Sequence, residues 1–498
     1  MLFGLLVIII YSVALALILL YCLVQFHLAL KYVSFHNGDR EKEMPALPEE
    51  LPQVTVQLPL YNELYVTERL LDAVAAMDWP ADKLEIQVLD DSTDESVEVG
   101  RRKVEELAAR GIDIQHIRRE DRKGFKAGAL QYGLEFCKGE YVAIFDADFV
   151  PKPDFLKNTI GWFQNPEIGV VQTRWEHLNR DYSLMTRMQA FALDLHFSVE
   201  QLGRFAAGYF INFNGTAGVW RKQAIDEAGG WNSDTLTEDM DLSYRAQLKG
   251  WKFMYREDVG SPAELPTEMS AIKSQQFRWN KGGAETARKL AGRVLRAKLP
   301  LRIKFHAVSH LLNTSNYIWI FLTAMLSIPL LWVKHESGML EAYPWVKDFF
   351  LYASVFLIGS VAIAYAYYVS TVYQKSDRKG AWKVYLTRLP IFLAATMGLS
   401  LHNAMAVLRG WAGQQSAFIR TPKFAITGIT GKWHTKKYAS GKIGLMTWME
   451  GVLALYFIGG IAIGLYLQDY GLLPFHLMAA LGFSMIFYLS VRHARIVR

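Results

Sequence analysis

The chain has 498 residues, 51% of them hydrophobic and 20% charged, with a net charge of +6 at neutral pH. That mixture suits neither a wholly soluble enzyme nor a bare helical bundle; it fits a polypeptide divided into wet and greasy parts. The positive excess is modest and lies beside apolar runs, which favours anionic headgroups or an anionic substrate over nucleic acid. Only Cys22 and Cys137 are present, too few for a disulfide framework and consistent with a reducing compartment around the soluble part.

In chain order, residues 3–26 are the first apolar run of bilayer-spanning length. No basic leading segment or small-residue cleavage site accompanies it, so an uncleaved anchor is expected over 1–30. A charged, proline-bearing linker, 31–50, follows, and Lys31, Arg40 and Lys42 mark its side as cytoplasmic. The texture then changes. VTVQLPL (54–60) and LEIQVLD (84–90) are short β-rich runs around a helical stretch at about 67–77. IDIQHIR (112–118) and YVAIFDADF (141–149) flank a second helix, KAGALQYGLEFC. Strands alternating with helices predict a mainly parallel α/β sheet covered on both faces. Ligands of such sheets gather beyond the carboxyl ends of the strands. Asp90 and Asp91 end one strand there, and Asp146 and Asp148 end another.

These carboxylates differ in what they imply. LDDSTDES taken alone reads as a loop rich in helix caps. IFDADF sets two aspartates two positions apart straight after an apolar strand, and like charges at a buried edge call for a divalent counter-cation. Further on, NGTAGVWR (214–221) has the glycines of a tight loop passing close to a ligand. TLTEDMDLSYRAQLKGWKF (235–253) opens like a helix, with Thr237 as its candidate cap and acidic residues that also suit the macrodipole. In SQQFRWNKGG (274–283), Arg278 offers a planar fork for phosphate and Trp279 a flat face for a sugar ring. A basic stretch from Arg288 to Lys304 follows, expected as an interfacial helix over 284–310.

The remaining apolar runs are 311–333, 350–373, 447–467 and 473–491, giving predicted spans within 311–373 and 447–492. A further run, 387–408, contains Arg388, Pro390, Gly398, His402 and Asn403. Basic loops flank it on both sides, so it is expected to be interfacial or re-entrant, with 409–446 as a cytoplasmic loop. Five crossings then put the N-terminus outside and the basic tail inside.

The motifs gain specificity from their order: Asp90-Asp91, Asp146-Ala147-Asp148, Thr237-Glu238-Asp239, then Gln275-Gln276-Phe277-Arg278-Trp279. Flanked by spans, this series resembles the membrane-embedded family 2 glycosyltransferases that include cellulose and hyaluronan synthases. QLPLYNE, DDSTDES, KAGAL, FDADF, NGTAGVWR, TEDMDLSYRAQLKGW and QQFRW look most like the cellulose-synthase-like mannan synthases and their glucan-synthase relatives. The resemblance covers about 51–283. FIRTPKF (418–424) is also similar to the gating-loop motif of cellulose synthases, with Arg420 where valine stands.

The resemblance implies an A-type nucleotide-sugar-binding domain over 51–283, cytoplasmic and inserted between transmembrane helices of a plasma or inner membrane. It implies that Asp90 or Asp91, with Lys126, holds the nucleoside, and that Asp146 and Asp148 hold the diphosphate through magnesium or manganese. Asp239 is the expected general base, with Glu238 beside it. Arg278 would offset charge on the leaving diphosphate, while Thr421 and Lys423 would close over the donor. Trp279, Gln275, Asn214 and Gly215 would line the acceptor side. The expected reaction inverts a hexose from UDP-glucose or GDP-mannose onto a β-linked polysaccharide, which is then exported. The expected partners are a nucleotide-sugar donor, a glycan or lipid acceptor and membrane lipids. A single-transfer lipid glycosyltransferase is the alternative, and a non-enzymatic transporter or scaffold a third reading.

Overall fold

The computed structural model describes residues 2–38, 44–335, 338–373, 375, 377–416 and 418–497; Arg40 and Lys42 lie outside the described residues. The chain begins with a 36-residue helix, α1 (Leu2–Asn37). Among the described residues, seven strands then build one sheet: β1 (Val54–Leu60), β2 (Leu84–Asp90), β3 (Ile114–Ile117), β4 (Tyr141–Ile144), β5 (Ile168–His177), β6 (Gly218–Arg221) and β7 (Lys252–Ala263). Their spatial order is β3-β2-β1-β4-β6-β5-β7.

Pairing is parallel at β1–β2, β1–β4, β2–β3 and β5–β7. Only β6 runs against its two neighbours among these strands. The expected mainly parallel α/β sheet is therefore present. β2 is buried along its whole length and β1 almost so, as a sheet covered on both faces requires. Polar residues inside these strands answer one another across the sheet. Thr55 Oγ1 donates to Glu85 Oε2 at 2.6 Å and Gln57 Nε2 to Gln87 Oε1 at 3.0 Å. The covering helices are α2 (Thr67–Ala75), α3 (Ser96–Ala109) and α4 (Phe125–Leu134). Helix α5 (Leu184–Leu195) continues through a wide π-helical turn, His196–Leu202. Helix α6 (Glu238–Leu248) precedes β7.

The reversed strand β6 positions the site. Ile144 pairs with Gly218, and the Asp146 backbone N–H donates to Thr216 Oγ1 at 2.9 Å. The loop entering β6, residues 214–217, is thereby laid against the loop leaving β4, residues 145–148.

After the sheet come α7 (Met269–Arg296) and α8 (Leu301–Leu311), then α9 (Asn316–His335), α10 (Leu357–Tyr368), α11 (Arg378–Trp411), α12 (Leu445–Tyr466) and α13 (Leu473–Val497). Among the described residues, five helices are long and apolar enough to cross a membrane by length and composition: Leu2–Asn37, Asn313–His335, Arg378–Trp411, Leu445–Tyr466 and Leu473–Val497. This set differs from the sequence grouping at two runs. The stretch 350–373 is divided by a 3-10 turn at Ala353–Phe356, leaving a shorter apolar helix, Leu357–Tyr373. The run 387–408 is the middle of α11, which continues through Pro390. Two of its polar residues find protein partners: Arg388 meets Asp181 at 3.4 Å, and His402 Nε2 lies 2.9 Å from the Lys273 carbonyl.

The sheet and the apolar helices share a core. Val24, Leu28, Ala29 and Tyr32 of α1 pack in one buried cluster with Val142, Ile144, Val170 and Trp220 of the sheet. Ala366, Tyr367, Ala381 and Tyr385 complete the same cluster. Contact is close enough that a Cβ on Gly203 would meet the Leu28 carbonyl oxygen at 2.6 Å.

Candidate active site

Beyond the carboxyl ends of β1, β2 and β4 lies a cavity of about 190 Å³, where the sheet topology leads one to look. Its wall gathers residues far apart in sequence: Asp91, Lys126, Asp146 and Asp148; Asn214 and Gly215; Glu238 and Asp239; Gln275, Arg278 and Trp279; Thr421 and Lys423. Every expected site residue is therefore in the wall except Asp90.

The two neighbouring aspartates at the end of β2 have different surroundings. Asp90 is buried, with His116 Nε2 at 2.8 Å and the Ser92 N–H at 2.8 Å. Burial works against its charge, but these hydrogen bonds outweigh it and hold the carboxyl below its ordinary range. Asp91 turns to the cavity, where Arg119 grips both oxygens, at 3.0 and 2.5 Å. Of the pair, only Asp91 can meet a ligand.

Lys126, from the first turn of α4, is a hub. Its Nζ lies 2.5 Å from Asp146 Oδ1, donates to the Gly215 carbonyl at 2.8 Å and stands 3.9 Å from Glu238 Oε1. Burial disfavours the ammonium, yet Asp146 and Glu238 overcome that and raise its pKa. Gly215 has φ +78°, and a Cβ there would stand 3.1 Å from Asp239 Oδ2. Glycine at this position is what lets the loop lie against Asp239.

Glu238 and Asp239 open α6. Thr237 precedes them but makes no side-chain cap; its hydroxyl pairs with Thr286 Oγ1 at 3.0 Å. The Asp239 carboxylate instead accepts from the adjacent Met240 N–H at 2.8 Å. Burial first, and then the Glu238 charge, push Asp239 up to about 7. Burial raises Glu238 too, against the pull of Lys126.

Helix α7 carries Gln275, Arg278 and Trp279 along its cavity face, so the FRW segment is helical. Arg278 donates to the Ile419 carbonyl at 2.6 Å and stacks over the Phe418 ring at 4.7 Å. Segment 418–426 docks against the sheet domain. Lys423 Nζ reaches Asp148 Oδ2 at 2.6 Å, and the Phe424 N–H donates to Glu264 Oε1 at 2.8 Å. Arg420 pairs with Glu63 Oε2 at 3.0 Å and lies 4.0 Å over the Tyr438 ring. Burial, opposed by Arg420, holds Glu63 up at about 7.

Asp146 and Asp148 thus face one cavity, each answered by a lysine. Among the described residues no cluster of three His, Cys, Asp or Glu is arranged to hold a metal by protein groups alone. Two carboxylates fit a hard cation that completes its shell with water and phosphate oxygens.

Arg119, which braces Asp91 from beside the wall, and Arg122 and Glu264 within it carry no sequence signal of their own and act as partners to motif residues, as does Glu63 of QLPLYNE; Arg122 lies 3.3 Å over the Tyr61 ring. Trp175 and His177, at the end of β5, also line the cavity.

Comparison with known proteins agrees with the motif reading. Residues 52–282 match the family described as glycosyltransferase like family 2. Over 263 residues the chain is 49% identical to a probable glucomannan 4-beta-mannosyltransferase 7 of Oryza sativa subsp. japonica, covering 52% of this chain and 45% of the relative. It is 48% identical over 252 residues to glucomannan 4-beta-mannosyltransferase 2 of Arabidopsis thaliana, covering 50% and 47% respectively. The matched region spans about half the length of these curated relatives. Among solved structures, mannosyltransferase PcManGT from Pyrobaculum calidifontis, in complex with GDP-Man and Mn2+, aligns with a TM-score of 0.54. It is 19% identical, over 82% of this chain and 100% of that one, a likeness of fold.

Proposed function

We propose, from the match of residues 52–282 to glycosyltransferase like family 2, that this protein is an inverting membrane hexosyltransferase that extends a β-linked mannan or glucan. The donor is GDP-mannose or UDP-glucose and the acceptor a growing glycan. The observation that carries the proposal is the convergence of Asp239, Asp146, Asp148, Arg278, Trp279 and Lys423, from four separate segments, on one cavity.

In this reading the acceptor hydroxyl oxygen bonds to the anomeric carbon as the bond from that carbon to the diphosphate breaks. Asp239 takes the hydroxyl proton; its raised pKa makes it a stronger base than a surface aspartate. Attack from the face opposite the leaving group inverts the centre, so an α-linked donor gives a β-linkage. Asp146 and Asp148 would hold a divalent cation, magnesium or manganese, which supplies charge for the diphosphate. Arg278 and Lys423 bring further positive charge to the same oxygens. Trp279 offers its ring to the acceptor sugar, with Gln275 one turn away. Asp91, braced by Arg119, faces the nucleoside.

The cavity is smaller than the roughly 300–1,000 Å³ usual for a pocket enclosing an organic ligand. Displacement of 418–423 to admit the donor, and its return over the diphosphate, accounts for that size. The apolar helices support an integral membrane protein, and the basic residues after the first span and along 409–442 favour a catalytic domain on the cytoplasmic side, from which the glycan would pass outward. The test is to incubate purified protein separately with GDP-mannose and UDP-glucose, then size the product and analyse its linkages. A β-linked polymer from one donor is expected; transfer from neither would overturn the proposal.

A further inference from the structure

The end of β5 places two side chains in the cavity wall that the reaction outlined above does not use. Along a strand, alternate residues face the same side. Glu176 points outward to Lys152, 3.3 Å away, while Trp175 and His177 face the cavity. The Trp175 ring is fixed by edge contact with Phe149 at 5.4 Å and by Phe197 at 5.1 Å. Its Nε1 is buried and has no hydrogen-bond partner, and the same is true of both ring nitrogens of His177. Three buried nitrogens are thus left without partners side by side, although burying even one such group carries a penalty. Both side chains belong to the cavity wall.

The chemistry of the three atoms narrows what would answer them. Burial, assisted by Arg180, Arg174 and Lys423 and opposed by Asp194, pushes His177 down to about 3. The imidazole is therefore neutral, and one nitrogen donates while the other accepts. The indole only donates. A phosphate offers acceptors alone and would leave the imidazole acceptor unanswered. A hydroxyl both donates and accepts, and adjacent hydroxyls on a pyranose ring answer a donor, acceptor and donor set.

We propose that Trp175 and His177 form a sugar-recognition subsite that binds hydroxyl groups of one pyranose ring in the cavity. The subsite rests on the transferase reading above. The ring belongs either to the donor hexose or to the acceptor glycan, and the two sources separate by experiment.

The full-length protein in detergent is titrated calorimetrically in two arms. One uses GDP-mannose and UDP-glucose with magnesium; the other uses β-1,4-linked mannohexaose and cellohexaose. The variants are Trp175→Phe, which keeps the ring packing and removes Nε1, and His177→Leu and His177→Gln. A lost hydrogen bond is expected to weaken binding about 2- to 10-fold in Trp175→Phe and His177→Leu, in one arm only. His177→Gln, which keeps a donor and an acceptor, should stay near the wild type, separating recognition from packing. Loss in the nucleotide-sugar arm assigns the ring to the donor, and loss in the oligosaccharide arm assigns it to the acceptor. Unchanged binding of both ligand types by His177→Leu and Trp175→Phe overturns the subsite and leaves the transferase reading standing. Wild-type protein that binds neither ligand type overturns both.

Discussion

Lys423 Nζ stands 2.6 Å from Asp148 Oδ2, across 275 residues of sequence. Asp146 has its own lysine, Lys126, at 2.5 Å, so the carboxylates of the Asp-Ala-Asp motif are neutralised one for one. A divalent cation held by Asp146 and Asp148 would compete for the same oxygens and would free both ammonium groups for a diphosphate. Net charge at the site is conserved in that exchange, so donor and cation are expected to enter together. Excess chelator should therefore abolish transfer, and magnesium or manganese should restore it. Full turnover in chelator would mean that the lysines alone serve the diphosphate.

Lys423→Ala removes one of these cations from a largely buried position. A hydrogen bond to a charged group is worth about 1.5–3 kcal/mol, so kcat/KM for the donor should drop about 10- to 150-fold. The assay belongs in detergent without anionic lipid. Normal turnover there would reduce Lys423 to a structural anchor that fastens segment 418–426 to Asp148.

Asp239→Asn should lower transfer by about two to four orders of magnitude while nucleotide affinity is kept. Stability should move the other way. The folded pKa of Asp239 lies above its unfolded value, so between about 4 and about 7 the folded state binds more protons. Stability contributed by this group is thus lost as pH rises through that window. Asparagine removes the ionised form, and the melting temperature at pH 8 should hold or rise. A lower melting temperature together with retained activity would take Asp239 out of the role.

The same value sets the acid limb of the rate. A base must be ionised to accept a proton, so kcat/KM for the acceptor should fall about tenfold per pH unit below roughly 7. A profile flat down to pH 5 would show that the proton goes elsewhere.

Much of the nucleotide half of the sheet is legible in the sequence, and particular residues show why the rest is not. VTVQLPL and LEIQVLD match β1 and β2 residue for residue, because both are unbroken buried runs closed by turn residues. β6 is four residues long and emerges from a glycine-rich loop that reads as loop throughout. β7 carries Arg256, Glu257 and Asp258 where its pairing with β5 is irregular, which interrupts any apolar period. Within the site, ordered motifs name most of the wall, but nothing in DDSTDES separates Asp90 from Asp91. The positions of His116 and Arg119 do that. Trp175 and His177 belong to no motif and come to notice only as buried nitrogens without partners.

The core shared by α1, the sheet, α10 and α11 constrains the order in which the protein can be completed. During synthesis from the N-terminus, all seven strands leave the ribosome before residues 366–385 exist. One side of the sheet's apolar filling must wait, exposed, until those later helices arrive. A nascent chain in that state presents a sticky surface for the duration, and insertion of the apolar α1 into a membrane at the outset would keep that surface close to where its missing partners will appear. Excising 51–283 as a soluble fragment would make the unfinished state permanent.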